Sequence, residues 1–232
     1  MNATALRPAL LCTAWLAGLA LLSPAAPAAD LQVYVTTPDG KPAVDVVVAL
    51  LPLAGGGAAP APRAEPALIV QKDIRFEPYV TAVPLGTTVR CVNRDRFDHH
   101  VRSVPGGPLG SIAPAKTFEF RLPAARGGRE PSAEMVMDAP GASGVGCHLH
   151  GSMRAHIYVN PTPWVAVTDA AGRAVLQGAP DGAADLRLWH PDQIVAQDQV
   201  RTTVAGNGNV EAKLNFTPRR RPPPRIKGEY ES

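Results

Sequence analysis

At 232 residues the chain is long enough for two small domains, and its 23 basic and 20 acidic residues give a formal net charge of only +3. Residues 217–232 hold five of the basic and two of the acidic residues. The remainder is therefore nearly neutral, so the basic balance is largely a property of the tail and gives no reason to expect a nucleic-acid partner. The chain has no nucleotide-binding glycine fingerprint, no phosphate loop and no serine elbow, and beyond its first residues no segment is apolar enough to span a bilayer.

Residues 1–29 read as a secretory signal peptide. Arg7 supplies the positive start, Ala9 to Leu22 the apolar stretch, and Ala26-Pro27-Ala28-Ala29 the small-residue cleavage site. Pro8, Pro24 and Pro27 argue against a retained membrane helix, and Leu11 before Cys12 is too large for a lipoprotein cleavage site. The protein is expected to be exported, and periplasmic in a bacterial cell. Removal of the leader takes Cys12 with it and leaves Cys91 and Cys147.

Helical periodicity is almost absent. Short runs of Val, Leu, Ile and Thr recur between Pro, Gly and Asp turns, which predicts an all-β protein built as sandwiches. In 30–55, strands are expected over Leu31–Thr37 and Ala43–Leu53, with Pro38-Asp39-Gly40 turning between them. A Gly/Ala/Pro stretch reads as a linker over 56–66. A second unit spans 67–161, with long loops at 105–114 and 126–131. In 162–216 the short-strand pattern resumes at Trp164–Thr168, Arg173–Leu176, Ala184–Trp189, Ile194–Val204 and Asn209–Phe216. Neither flank has enough strands to bury both faces of a sheet, so 30–55 and 162–216 are expected to form one discontinuous sandwich. Residues 217–232, with Arg219-Arg220-Arg221-Pro222-Pro223-Pro224-Arg225, are expected to be a disordered basic tail. That tail reads first as a solvated terminus and second as a handle for an acidic partner or membrane surface.

The densest chemistry lies at Cys147-His148-Leu149-His150-Gly151-Ser152-Met153, read with Asn93-Arg94-Asp95-Arg96-Phe97-Asp98-His99-His100. Two imidazoles and a thiolate in a plane, with a weak axial thioether, are the donor set of a type 1 copper centre. Cys147, His150 and Met153 fit on one short loop between strands; the second imidazole comes from His99 or His100. On a strand His99, Val101 and Ser103 share one face while His100 and Arg102 share the other. Valine marks the core side, so His99 is expected as the ligand. His100 and His148 are expected beside the metal or at the surface, and Asn93 and Asp95 to order the turn before His99. The competing structural reading is a Cys91–Cys147 disulfide, which an exported protein permits. It leaves the spacing of His150 and Met153 unexplained. A binuclear copper site would need a second cysteine in the loop, and thioether sulfur is a poor zinc ligand.

These motifs resemble the cupredoxin family of small blue copper proteins. The resemblance runs through Phe76-x-Pro78, Val83-Pro84-x-Gly86-x-x-Val89, Asn93-x-Asp95-x-x-x-His99-x-Val101, Pro140-Gly141, the Cys147/His150/Met153 loop and His156-Ile157-Tyr158-Val159. It covers roughly residues 66–161, and the short ligand loop is most similar to that of amicyanin. The wider arrangement is similar to an exported group labelled methylamine utilization proteins. Residues 31–53 and 162–216 resemble the two halves of a carboxypeptidase regulatory-like, Ig-like β-sandwich. Val145 stands where many of the family carry an aromatic, and His148 is an unusual polar choice inside the loop.

The resemblance implies a Greek-key β-sandwich holding one copper ion on His99, Cys147, His150 and Met153. It implies outer-sphere electron transfer with an unidentified redox partner protein, the electron leaving through His150. In this reading the chain is a carrier and not an enzyme. The alternatives are copper trafficking or storage, with His100 and His148 as auxiliary donors, and a non-redox binding or structural sandwich.

Overall fold

The computed structural model describes residues 29–53 and 65–219; segments 1–28, 54–64 and 220–232 lie outside the described residues. The expected leader except Ala29, most of the expected linker and most of the basic tail fall there. Among the described residues there is no helix, and the all-β, two-sandwich class expected from the sequence is what the structure has.

Among the described residues sixteen strands run in order. The first two are β1 (Ala29–Thr36) and β2 (Val47–Pro52). Nine follow in the central region: β3 (Ala67–Lys72), β4 (Arg75–Glu77), β5 (Val80–Pro84), β6 (Thr88–Asn93), β7 (His99–Val104), β8 (Glu119–Leu122), β9 (Ser132–Val136), β10 (Gly141–Cys147) and β11 (Arg154–Asn160). The last five are β12 (Val165–Val167), β13 (Arg173–Ala179), β14 (Gly182–Trp189), β15 (Val200–Val204) and β16 (Gly208–Lys213).

The central sandwich packs a five-stranded sheet, β5-β11-β10-β7-β8, against a four-stranded one, β4-β3-β6-β9. Its core includes Ile69, Phe76, Val83, Val89, Val101 and Ile157. The flanking sandwich pairs β13-β1-β16 with β12-β2-β14-β15. Here strands from the two ends of the chain interleave: Val33 of β1 lies between Ala174 of β13, antiparallel, and Val210 of β16, parallel. Strict alternation in β1 puts Leu31, Val33 and Val35 into that core and turns Tyr34 outward.

The unbroken apolar run of β2 has a different cause. Val48 and Leu50 face the flanking core, while Val47 and Ala49 join Val80, Ala82, Tyr158 and Val165 in a third cluster. That cluster is where β2 and β12 of the flanking sandwich meet β5 and β11 of the central one. A strand buried on both faces reads as continuously hydrophobic.

Two expected strands are shorter than their sequence suggests. Residues 43–46 do not extend β2: Asp45 takes φ 62°, its N–H bonds the Thr168 carbonyl, and the Val46 N–H bonds Thr168 Oγ1. Residues 194–199 do not extend β15: Ile194 and Val195 are 77% and 68% exposed, and Gln197 bonds Asn215 through Nε2 and through the Asn215 N–H. Residues 217–219 are described, and Arg219 is bonded to Asp192 through its backbone N–H and its guanidinium.

His156 sits in the contact between the sandwiches, edge-on to Tyr79 at 5.2 Å and to Trp189 at 6.1 Å between ring centres. Burial, and then the charges of His190 and Arg154 against the opposing Asp192, push its pKa down to about 4. The unfolded chain takes up this proton near the ordinary imidazole value, so the stability it contributes is complete above pH ~6.5 and drains away between there and about pH 4, by roughly 3 kcal/mol. Urea unfolding at pH 7 and pH 4 should show His156→Phe losing less stability over that interval than the wild type. Equal losses would mean that the ring is not buried neutral.

Candidate metal centre

The turn leading into β7 is built around two polar side chains. Asn93 Nδ2 donates to the carbonyls of Phe97 (2.9 Å) and Pro123 (2.8 Å), while its Oδ1 accepts the Asp95 N–H at 2.8 Å. Asp95 Oδ1 accepts the N–H of Asp73 at 2.7 Å and Oδ2 that of Ile74 at 3.2 Å. Asp73 and Ile74 both have positive φ, so this carboxylate anchors the tight turn between β3 and β4. Burial works against the Asp95 charge, but the His99 ring and the two N–H groups more than offset it and hold its pKa below the ordinary carboxylate value.

Asp95 Oδ2 also lies 2.8 Å from His99 Nε2. An ionised carboxylate only accepts, so Nε2 carries the hydrogen, and in the neutral imidazole that a metal requires Nδ1 keeps its lone pair. His99 is fully buried, and Nδ1 faces Cys147 Sγ at 3.6 Å. Cys147 ends β10 and is 3% exposed. From there the chain turns, with the Met153 N–H donating to the His150 carbonyl at 3.0 Å. The turn brings His150 Nδ1 to 3.6 Å from Cys147 Sγ. Burial, and then the neighbouring His99, hold the His150 pKa below the usual imidazole value against the opposing pull of Asp95.

Among the described residues His99, Cys147 and His150 form a group whose donor atoms all lie within 4.8 Å of one another. Met153 is 1% exposed and belongs to the same apolar cluster as Cys147. Cys91 and Cys147 are both free and buried, and burial pushes the Cys91 thiol up to about 12. Cys91 is thus an inert core residue of β6.

The spacing suits a metal ion. With bonds of about 2.3 Å to thiolate and 2.0–2.1 Å to imidazole, an angle near 110° separates S and N by about 3.6 Å. A soft thiolate and two imidazoles, with a thioether three residues beyond His150, favour copper over zinc.

His100 and His148 are placed away from this group. His100 Nε2 is 2.8 Å from Glu119 Oε1, and the His100 ring lies edge-on to His148 with centres 5.7 Å apart. Phe97 was not singled out from the sequence, yet its ring touches both candidate ligands, at 5.3 Å from His99 and 5.2 Å from His150. It is 39% exposed and covers the two imidazoles on their open side. The only sequence signal for Phe97 was an aromatic residue in an otherwise charged turn.

No protein-family model matches the chain, and no curated protein matches it by sequence. Several solved structures are similar to part of it. A Cu-containing nitrite reductase from Thermus scotoductus is 24% identical over 47% of this chain and 25% of its own, with a TM-score of 0.35. Amicyanin from Paracoccus versutus is 17% identical over 42% of this chain and 84% of its own, with a TM-score of 0.33. A purple cupredoxin from Nitrosopumilus maritimus is 20% identical over 40% of this chain and 99% of its own, also at 0.33. The chain thus spans about a quarter of the length of the nitrite reductase it matches.

Proposed function

We propose that the protein is an exported, mononuclear type 1 copper protein of the cupredoxin kind, working in outer-sphere electron transfer and not as an enzyme. The observation that carries this reading is the approach of His99 Nδ1 and His150 Nδ1 to Cys147 Sγ, each at 3.6 Å, beside a buried Met153. Copper held by these four side chains supplies a one-electron couple that changes state with little rearrangement.

The rest is done by the chain itself. Asp95 fixes the tautomer and tilt of His99. The apolar cluster around Cys147 excludes water, and Phe97 shields the imidazoles from the open side. Met153 would supply the fourth donor and so occupy the position a substrate would need, which favours a carrier over a catalyst. His150 is the least buried of the three donors and lies beside the exposed Leu149 and Phe97. This is a small apolar patch of the kind a brief redox encounter requires. In the same reading, residues 67–161 are a copper domain inserted into a sandwich made of 30–55 and 162–216.

The test is the visible and EPR spectrum of the full chain after addition of one equivalent of Cu(II), beside Cys147→Ala. An intense thiolate-to-copper band with a narrow copper hyperfine splitting is expected from the wild type and none from Cys147→Ala. A colourless wild type that takes up Cu(I) and releases it quickly to a chelator would replace electron transfer by copper trafficking.

A further inference from the structure

The strand pairing that assembles the buried donors assembles a second histidine pair on the opposite face of the same sheet. In the antiparallel ladder of β10 and β7, Cys147 pairs with Val101 and Gly146 with Arg102. The ladder continues one residue beyond β10, where the His148 N–H donates to the His100 carbonyl at 2.8 Å. His148 therefore stands directly across from His100, and cross-strand partners project to the same side. His99 and Cys147 face the core, and their chain neighbours His100 and His148 face outward. On the next strand, β8, Glu119 brings Oε1 to 2.8 Å from His100 Nε2.

We propose that His100, His148 and Glu119 form a separate surface site for an imidazole-binding divalent cation of the Zn2+ or Cu2+ type. The three side chains stand close enough to converge on one ion once the exposed Glu119 and His148 turn toward it. Nitrogen and oxygen bonds of 2.0–2.2 Å place cis donors about 3 Å apart and the centres of two ligating imidazoles roughly 5–6 Å apart. The structure has 2.8 Å between His100 Nε2 and Glu119 Oε1, and 5.7 Å between the two rings. The Glu119 side chain is 61% exposed and His148 is exposed, so both are free to close on a cation.

Charge around the site selects the ion. Arg102 shares the outward face with His100, and the Arg154 guanidinium lies over Gly146, where a Cβ would come within 3.1 Å of Nη1. Arg121, cross-strand partner of His100, is bridged to Asp98, so three cations stand against two carboxylates, one of them already engaged; this disfavours Mg2+ or Ca2+, which depend on several anionic oxygens. An ion whose affinity comes from imidazole nitrogen is far less affected. The site is joined to the buried group by single peptide bonds, His99 to His100 and Cys147 to His148.

The site does not depend on the copper reading, so its test uses a chain from which the buried thiolate is gone. Zn2+ is titrated calorimetrically into full-length Cys147→Ala, and into the same protein carrying in addition His148→Ala, His100→Ala, Glu119→Gln or His150→Ala. Circular dichroism melts check that each variant is folded. One equivalent of Zn2+ is expected to bind, at least tenfold more weakly after His148→Ala or His100→Ala, several-fold more weakly after Glu119→Gln, and unchanged after His150→Ala. Zn2+ uptake lost with His150→Ala but indifferent to His148→Ala would put the ion in the buried group and overturn the proposal. No uptake by Cys147→Ala would overturn it as well, and would show the histidine pair to be only a partner for Glu119.

Discussion

Asp95→Ala is expected to weaken copper binding by 10–100-fold and to destabilise the metal-free protein by about 3 kcal/mol at once. The first effect follows from the loss of the group that holds His99 Nε2 at 2.8 Å. Without it the ring is free to turn or to present the wrong nitrogen, and the Nδ1 that faces Cys147 is no longer fixed. The second follows from the N–H groups of Asp73 and Ile74, whose acceptor is removed in a left-handed turn that already carries backbone strain. Asp95→Asn separates the two, because its one remaining carbonyl oxygen can serve either the turn or the ring. Competition with a Cu(II) chelator and urea unfolding of the apo protein measure the two quantities independently. Copper affinity within twofold of wild type in Asp95→Ala would show that the carboxylate does not set the ring. The depressed pKa of Asp95 also fixes the sign of its acid response: its stabilisation is complete above the unfolded carboxylate value near pH ~3.9 and is lost as pH falls through the lower folded value.

Gly172→Ala should be the most damaging single methyl in the flanking sandwich. Gly172 closes the turn before β13 at φ +73°, with its N–H on the Asp169 carbonyl and its own carbonyl accepting the Val35 N–H. A Cβ there would lie 2.5 Å from the Val35 carbonyl oxygen and 3.2 Å from the Ala43 nitrogen and the Pro42 Cα, all of them backbone atoms. No side chain can rotate away to make room. The left-handed conformation alone costs an alanine about 1–2 kcal/mol. Separating β1 from the turn should bring the total to about 4 kcal/mol, a fall in Tm of roughly 10 °C for a protein of this size. Gly110→Ala is the control: φ is +62° but nothing lies within 4 Å of the added carbon, so only the conformational cost of about 1 kcal/mol is expected. If thermal melts placed the two variants together, packing at Gly172 would not be what limits the turn.

The strands were legible where one face meets water, because alternation then survives in the sequence, as in Leu31, Val33 and Val35 of β1. β2 was legible as a strand but not in its meaning. Its unbroken Val-Val-Ala-Leu-Leu run records a second covered face, and what covers it is an apolar cluster shared with residues of β5 and β11 more than thirty positions away. The overlong expectations at 43–46 and 194–199 share one fault. β-branched residues there satisfy a pattern, while the backbone is diverted by Thr168 in one case and Gln197 in the other. At the candidate site the spacing singled out His99, Cys147 and His150, which the fold brings together. It could not reveal Asp95 as the partner of His99 Nε2, nor Phe97 as the ring against both imidazoles, because neither contact follows from a repeat or a spacing rule.

The interleaving of β1 and β2 with strands from the far end of the chain also sets a timetable. Leu31 pairs with Leu176 and Gly208, and Leu50 with Leu186, so β1 and β2 have no partners until well over a hundred residues later. The strands between Ala67 and Asn160 pair only among themselves. They can close as soon as β11 emerges, while the first two strands wait as exposed apolar edges. A chain emerging in this order would thus complete the pocket of His99, Cys147 and His150 before it completes the flanking sandwich.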